Sequence, residues 1–456
     1  MVTLLEKING FIWGFPSLIL IVGVGVYISI RTGFPQIRLL PLALKQFFSR
    51  FLARKENKGG VSPFQALCTA LAATVGTGNL AGVAGAIAIG GPGSIFWMWV
   101  CGLLGMATKY AEATLAVRYR RKSGEGEWIG GPMYMIEQGM GKKFRWLACV
   151  YSFFGVVAAF GVGNATQINA VIGGINGAIT GLGGSACFLG NLLMGVGLAA
   201  LILSILVGGA ARIGKVAERL VPFAAVLYLL LSFVVLIMNY EKLPDAFSAI
   251  VGGAFCPAAV TGGVIGSLFT SLRIGASRGV FTNEAGMGTA SIAHASADVE
   301  HPAEQGLLGI VEVFLDTIVI CTVTALVILS SDVIIPYGKD IGVSLTSMAF
   351  SSALGQWVSV AIAVILCCFA IATVLGWGLY GMRCAQYLFG DGAWRKFAYL
   401  QAVVVVLGAV LGTGTVWLLS DIVNGLMAIP NLIALGFLCS ELVQLTKVIE
   451  KRRSSK

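Results

Sequence analysis

Charged residues are scarce in this sequence. Asp, Glu, Lys and Arg make up 11% of its 456 residues, whereas a soluble domain contains about 25%. Apolar residues reach 57% and recur in runs of about 20, the length that crosses a bilayer as a helix. These runs lack the apolar–polar alternation of membrane barrel strands. The composition therefore excludes a soluble globular protein and predicts an all-α integral membrane protein.

Histidine is equally scarce, and cysteine is not clustered. The chain has only two histidines, His294 and His301, and its ten cysteines lie singly or as the adjacent pair Cys367–Cys368. Neither the spacing of zinc ligands nor a disulfide framework is present. No nucleophile is grouped with a base or a metal cluster, as an active site would require. We therefore expect no cofactor and no enzyme.

The apolar runs predict eleven membrane-spanning helices, and basic residues give their orientation. Five connecting or terminal segments hold 25 of the 31 Lys and Arg residues. The positive-inside rule places them in the cytoplasm, so we expect a plasma-membrane protein with its N-terminus outside and its C-terminus inside. The net charge of +10 then needs no nucleic-acid partner. The basic segments are 31–58, 118–145, 212–219, 383–396 and the tail from Lys447. The predicted spans are 12–30, 65–90, 94–117, 146–172, 186–209, 220–239, 260–290, 306–330, 355–388, 397–417 and 419–446.

The second span contains a polar interruption at membrane depth. Gly76, Thr77, Gly78 and Asn79 follow one another near its midpoint, and each glycine costs about 1 kcal/mol in a helix interior. Unwinding there frees backbone carbonyls for a cation and N–H groups for a carboxylate. Close helix packing by small residues is the alternative explanation, but it does not account for an amide in hydrocarbon.

The seventh span is also rich in glycine and hydroxyl residues, and it runs in the opposite direction. Spans 2–6 and 7–11 therefore form two halves of equal size and opposite orientation, and matching broken helices in such halves indicate the central site of a transporter. We expect a single transporter domain over 1–456. It comprises an extra helix and basic loop (1–60), two five-helix repeats (61–240 and 241–446) and a basic tail (447–456).

Two stretches resemble the alanine or glycine:cation symporter family. They are Val75–Asn79 with the run Gly91-Pro-Gly-Ser-Ile-Phe-Trp-Met-Trp-Val100, and the run Phe281-Thr-Asn-Glu-Ala-Gly-Met-Gly-Thr-Ala-Ser-Ile-Ala-His294. The resemblance covers essentially the whole chain. It implies a leucine-transporter-like fold, in which an inverted five-helix repeat follows one extra N-terminal helix, and sodium-driven uptake of alanine or glycine.

The resemblance also implies a set of site residues. In the first broken helix, Thr74, Gly76, Thr77 and Gly78 would hold the substrate carboxylate, and Asn79 would ligate sodium. In the second broken helix, the resemblance matches Phe269, Thr270 and Ser271 to the segment that covers the substrate and supplies a hydroxyl. Thr74 and Thr270 are further candidate sodium ligands, and Asn79 is also a candidate substrate contact. A second sodium would bind Thr373 together with the Ala72 and Val75 carbonyls.

Further polar residues in the spans are candidates by their own chemistry. Asp316 and Glu312 lie four residues apart on one helix face, and intramembrane acids are by default functional. Sodium favours hard oxygen ligands, so Asp316 and the adjacent Thr317 are candidates for its site. Gln167 is a candidate substrate contact, although a helix–helix hydrogen bond explains it equally well.

Four further ionisable residues receive less specific interpretations. Lys109 and Glu112 are interpreted as a local ion pair. Glu284 and His294 are expected at the cytoplasmic mouth, as gating or structural groups.

The sequence therefore predicts a secondary active symporter for sodium and small neutral amino acids. A symporter driven by protons, with Asp316 or Glu312 as the proton carrier, remains an alternative. An ion channel is a second alternative, against which stand the inverted halves and the absence of a filter motif.

Overall fold

The computed structural model describes residues 2–53, 60–181, 184–265, 267–411 and 414–454. These ranges are almost entirely helical, and their strands form one short antiparallel hairpin, β1 (Arg121–Lys122) and β2 (Trp128–Ile129). The helices of the first half are α1 (Val2–Ile12), α2 (Phe15–Arg31), α3 (Leu40–Ala53), α4 (Pro63–Thr74), α5 (Val83–Gly90), α6 (Gly93–Arg118), α7 (Arg145–Phe160), α8 (Thr166–Gly181), α9 (Phe188–Leu206) and α10 (Gly209–Met238).

The second half repeats this organisation. Its helices are α11 (Leu243–Phe255), α12 (Leu268–Asn283), α13 (Thr289–Ala295), α14 (Pro302–Val313), α15 (Thr322–Ser330), α16 (Val343–Leu354), α17 (Val358–Phe389), α18 (Ala393–Val410) and α19 (Gly414–Ser454). Helical turns of the wider π type continue three of the spans, at Gly78–Gly82, Gly161–Ala165 and Phe314–Cys321. Such turns often occur at functional sites.

Eight helices in the described ranges are long and apolar enough to cross a membrane, or nine when the bent pair Pro63–Thr74 and Gly78–Gly90 forms one span. The all-α membrane class is confirmed, and the count of eleven stays a prediction. Two predicted spans are not among these helices. The third, α6, contains the charged residues Lys109 and Glu112, and the seventh is interrupted between α12 and α13.

Corresponding spans of the two halves pack against each other. The third span, α6, packs along the eighth, which begins with α14. The fourth span, containing α7, packs along the ninth, α17, and the fifth, α9, packs along the tenth, α18. This pairing brings the two broken spans together in the middle of the molecule.

The first broken helix has clear start and stop signals. Ser62 and Gln65 form a reciprocal capping box ahead of α4, with Pro63 in the first helical position, which is the arrangement that satisfies free N–H groups at a helix start. The helix ends at Thr74, ahead of the two glycines, and the chain bends by 48° before it resumes.

The second break lies further along the chain than the resemblance implied. Helix α12 runs unbroken through Phe269, Thr270 and Ser271 and ends at Asn283. Glu284 then adopts a left-handed conformation (φ 52°), and Gly286 and Gly288 also have positive φ values. The break is therefore displaced by about four helical turns.

Several connecting segments are more helical than predicted. The basic segment 212–219 lies inside α10, and the tail from Lys447 continues α19 as far as Ser454. Helices α11 and α16 were not predicted, since neither is long enough to span a bilayer.

Candidate functional site

A small cavity lies between the two breaks. Six residues predicted from the sequence line it: Thr74, Gly76, Thr77, Gly78, Gln167 and Thr373. Its volume is about 20 Å³, room for about one water molecule. Since an amino acid needs more space, the walls must move to admit one.

Glycine at the first break permits close approach of neighbouring helices. A β-carbon on Gly76 would lie 2.9 Å from Thr373 Oγ1, and one on Gly78 would lie 3.3 Å from Thr282 Cγ2. The Thr77 hydroxyl donates to Gln167 Oε1 at 3.3 Å. The unwound backbone is thereby enclosed by α8, α12 and α17.

The second break contributes an acidic side chain to the cavity. Glu284 is only 4% exposed. Its Oε1 accepts a 3.0 Å hydrogen bond from the Trp377 indole, and its Oε2 accepts a 2.5 Å bond from the Thr289 hydroxyl. A buried carboxylate that has only neutral donors is suited to bind a cation. Glu284 therefore lies inside the site and not at the cytoplasmic mouth.

Asn79 joins the first break to the eighth span. Its Oδ1 accepts from the Gly76 N–H at 2.8 Å, and its Nδ2 donates to Asp316 Oδ1 at 2.7 Å. The other Asp316 oxygen accepts from the Thr317 hydroxyl at 2.8 Å, and Asn283 donates to that hydroxyl at 3.1 Å. Asn79, Asp316 and Thr317 are fully buried, and within the described ranges Asp316 forms no ion pair. These oxygens form a compact set beside the cavity wall.

A second group of oxygens surrounds Thr373. Its hydroxyl lies 3.1 Å from the Ala72 carbonyl and 3.0 Å from the Phe369 carbonyl. The Val75 residue at the end of α4 is buried beside them in the same core cluster. The group links α4 with α17, as the sequence predicted for Thr373 and Ala72.

The structure does not bring Phe269, Thr270 and Ser271 to this cavity. They occupy the first turn of α12, and the Phe269 side chain is 40% exposed. Phe281 lines the cavity and Thr282 lies against Gly78, about three turns later. The glycine-rich chain at 261–265 forms turns, and α12 then packs along α6 and stays helical from Leu268 to Asn283.

Other lining residues were missed by the sequence reasoning. Glu284, Met287 and Asn424 face the cavity, as does Trp377, for which the sequence favoured core packing over a place in the pocket wall. The run from Phe281 to Gly288 contained a usable signal, because an acid followed by two spaced glycines marks a polar break. Asn424 had no such local signal, since it lies in an otherwise regular α19.

Beneath the cavity, the predicted Lys109–Glu112 pair is confirmed, with Nζ 3.9 Å from Glu112 Oε2. It belongs to a larger buried network, because Lys109 Nζ also lies 3.4 Å from Glu312 Oε1, and Glu312 contacts His294. His294 is fully buried and lies in the last turn of α13.

The comparisons with known proteins agree with this geometry. A sequence model described as the sodium:alanine symporter family matches residues 1–456. The chain belongs to this family. It is 42% identical to the sodium/alanine symporter AgcS of Methanococcus maripaludis, over 100% of this chain and 98% of that protein. It is 38% identical to the amino-acid carrier protein AlsT of Bacillus subtilis, over 98% of this chain and 91% of that protein.

A solved structure supports the same fold. The crystal structure of MhsT in complex with L-phenylalanine covers 84% of this chain and 90% of its own, with a TM-score of 0.57 and 15% identity. MhsT has the leucine-transporter fold, and at this identity the likeness concerns the fold alone. The predicted leucine-transporter-like architecture is confirmed, and family membership assigns the chain to the sodium-coupled amino-acid symporters.

Proposed function

We propose that the chain takes up alanine or glycine together with sodium, through alternating access to the cavity between the two breaks. The observation that carries the proposal is the position of Glu284, a buried carboxylate that faces the unwound backbone of Gly76–Gly78 and has no ion-pair partner in the described part of the chain. A zwitterion placed between them has its ammonium at Glu284 and its carboxylate at the backbone N–H groups. Opposite charges thus meet in a site of low dielectric, where such contacts are strongest.

The walls of the cavity favour a small substrate. Trp377, Phe281 and Met287 surround it, and a β-carbon on Gly163 would lie 2.3 Å from Trp377 Cβ, so the indole has little freedom to retreat. Apolar walls discriminate against one extra methylene by only about 1–3 kcal/mol. We therefore propose alanine and glycine together as substrates.

Sodium has two proposed positions. One uses the side-chain oxygens of Asn79, Asp316 and Thr317. The other uses the Thr373 hydroxyl and the Ala72 carbonyl, with Val75 at the end of α4. Both consist of hard oxygen ligands, and both connect the first broken helix to the second half. Thr270 is no longer included, because it lies in the first turn of α12.

The proposed orientation puts the N-terminus outside and the C-terminus in the cytoplasm of a cell membrane. Its support is the positive-inside rule, since the basic segments 31–58, 118–145 and 383–396 then share one side.

One sodium moving inward at 100 mV supplies about 2.3 kcal/mol, and a tenfold gradient adds about 1.4 kcal/mol. Together they support accumulation of several-hundred-fold.

Uptake of labelled alanine into proteoliposomes tests the proposal, with sodium and proton gradients imposed separately. We expect accumulation with inward sodium alone, and competition by unlabelled glycine. Accumulation with protons alone would contradict sodium coupling and favour Asp316 or Glu312 as the proton carrier. A steady current that does not saturate with substrate would indicate a channel.

A further inference from the structure

A buried polar network lies beneath the cavity, and none of the transport steps above uses it. At its centre is Lys109 of α6, with its ammonium 3.4 Å from Glu312 Oε1 and 3.9 Å from Glu112 Oε2. The side chains of all three residues are fully buried. Two carboxylates without a cation would be very unfavourable in this environment. Within the described ranges, Lys109 is the only Lys or Arg in ion-pair contact with either of them.

Glu112 holds the beginning of the inner half of the second broken helix. Its Oε1 accepts hydrogen bonds from the N–H groups of Gly286 at 2.9 Å and Gly288 at 3.0 Å. The Asn431 amide donates to the same oxygen at 2.7 Å. These contacts tie α6 and α19 to the backbone immediately before α13.

Glu312 holds the other end of α13. Its Oε2 lies 2.8 Å from His294 Nε2, in the last turn of that helix. The Gln305 amide nitrogen lies 2.7 Å from His294 Nδ1 and 3.4 Å from the Pro63 carbonyl. An amide nitrogen can only donate, so His294 Nδ1 accepts and its Nε2 donates to Glu312. The chain of contacts therefore extends from Lys109 to the first residue of α4.

We propose that Lys109 is a positioning residue that keeps the cytoplasmic halves of both broken helices closed. Its single positive charge contacts both carboxylates that hold opposite ends of α13 and offsets part of their negative charge. Gln305 passes the restraint to the start of α4. Opening toward the cytoplasm requires α4 and α13 to separate, which breaks this chain of contacts. The inference rests on the proposed alternating access, but it concerns a conformational equilibrium that can be measured without transport.

Alkylation of Cys68 provides that measurement. Cys68 lies in α4 and is 1% exposed, so a thiol reagent reaches it only when the cytoplasmic half of α4 moves. Cys439, fully buried in α19, reports loss of the overall fold in the same molecule. Both can be quantified by mass spectrometry of peptides after treating the full-length protein in liposomes with N-ethylmaleimide.

Lys109→Met is expected to raise the rate of Cys68 alkylation at least fivefold, with Cys439 still protected. Adding Glu312→Gln should reverse most of this increase, because a glutamine oxygen accepts from His294 without needing a neutralising charge. In uptake assays of the single variant, we expect kcat to fall more than KM changes. Unchanged Cys68 alkylation in a folded Lys109→Met variant would overturn the inference, as would an increase that Glu312→Gln does not reverse.

Gln305→Ala tests the link to α4 while leaving every charge in place, and it serves if Lys109→Met fails to fold. Gln401→Ala is its matched control, since Gln401 is also fully buried but contacts the Ala159 carbonyl, away from the network. Cys68 alkylation should rise with Gln305→Ala and not with Gln401→Ala. Equal rates in the two variants would contradict the restraint on α4. A wild-type protein without sodium-driven uptake would refute the proposed function and leave these alkylation rates as an independent result.

Discussion

The Asn79 side-chain amide donates a 2.7 Å hydrogen bond to Asp316 Oδ1, joining residues 237 positions apart in the chain. The same Asn79 accepts from the Gly76 N–H. The first helix break is therefore coupled directly to a buried acid of the second half. A cation that binds at Asp316 can alter the conformation of the backbone that lines the cavity.

Asp316→Asn should weaken sodium binding about 10- to 100-fold. The substitution keeps the shape of the side chain and removes its charge, and a hydrogen bond or ligand contact to a charged group contributes about 1.5–3 kcal/mol. The sodium dependence of alanine uptake measures the change. Asp332→Asn is the matched control, because this exposed acid pairs with Lys242. Sodium dependence unchanged by Asp316→Asn would remove Asp316 from the sodium site.

Glu284→Gln should reduce alanine affinity at least tenfold while leaving sodium binding measured without substrate nearly unchanged. The glutamine retains an oxygen that can accept from Trp377 but loses the charge that would attract an ammonium. Equilibrium binding of labelled alanine at saturating sodium measures the loss. Glu241→Gln, in an exposed turn, is the control. Wild-type affinity in Glu284→Gln would refute the assigned ammonium contact.

Thr373→Ala and Thr373→Ser separate the hydroxyl from its methyl group. Serine keeps the oxygen that lies 3.1 Å from the Ala72 carbonyl and should retain most sodium affinity. Alanine lacks it and should lose sodium affinity about tenfold, as the loss of roughly 1.4 kcal/mol implies. Sodium-dependent protection against thermal unfolding distinguishes the two. Equal protection in both variants would argue against a sodium ligand at Thr373.

Gly163→Ala should destabilise the protein by about 1–3 kcal/mol and impair uptake. The new β-carbon would lie 2.3 Å from Trp377 Cβ, which forces a shift in a packed core. Gly173→Ala in α8 is the matched control, because a β-carbon there meets nothing within 4 Å. That control should be neutral or more stable by up to about 1 kcal/mol. Similar melting temperatures for the two variants would contradict the close packing of Trp377.

The first break could be predicted from the sequence because its signal is local. Two glycines and an asparagine at the midpoint of an apolar run disfavour a helix whatever surrounds them. The second break was harder, because glycine and hydroxyl residues also occupy the earlier part of its span. The structure forms turns at 261–265 but stays helical from Leu268 to Asn283, where α12 packs along α6. The interruption falls at Glu284–Gly288, where Glu112 and Asn431 form hydrogen bonds with the backbone of Gly286.

The sequence by itself determined the membrane class, the family and the position of the first helix break. These depend on composition, on run length and on motifs of neighbouring residues. Only the tertiary structure decided that Glu284, Trp377 and Asn424 share one cavity. It also decided that Lys109 contacts carboxylates on two helices, those of Glu112 and Glu312. Such groups come together through helix packing between residues far apart in the chain, and hydrophobic periodicity contains no information about which polar side chains will meet.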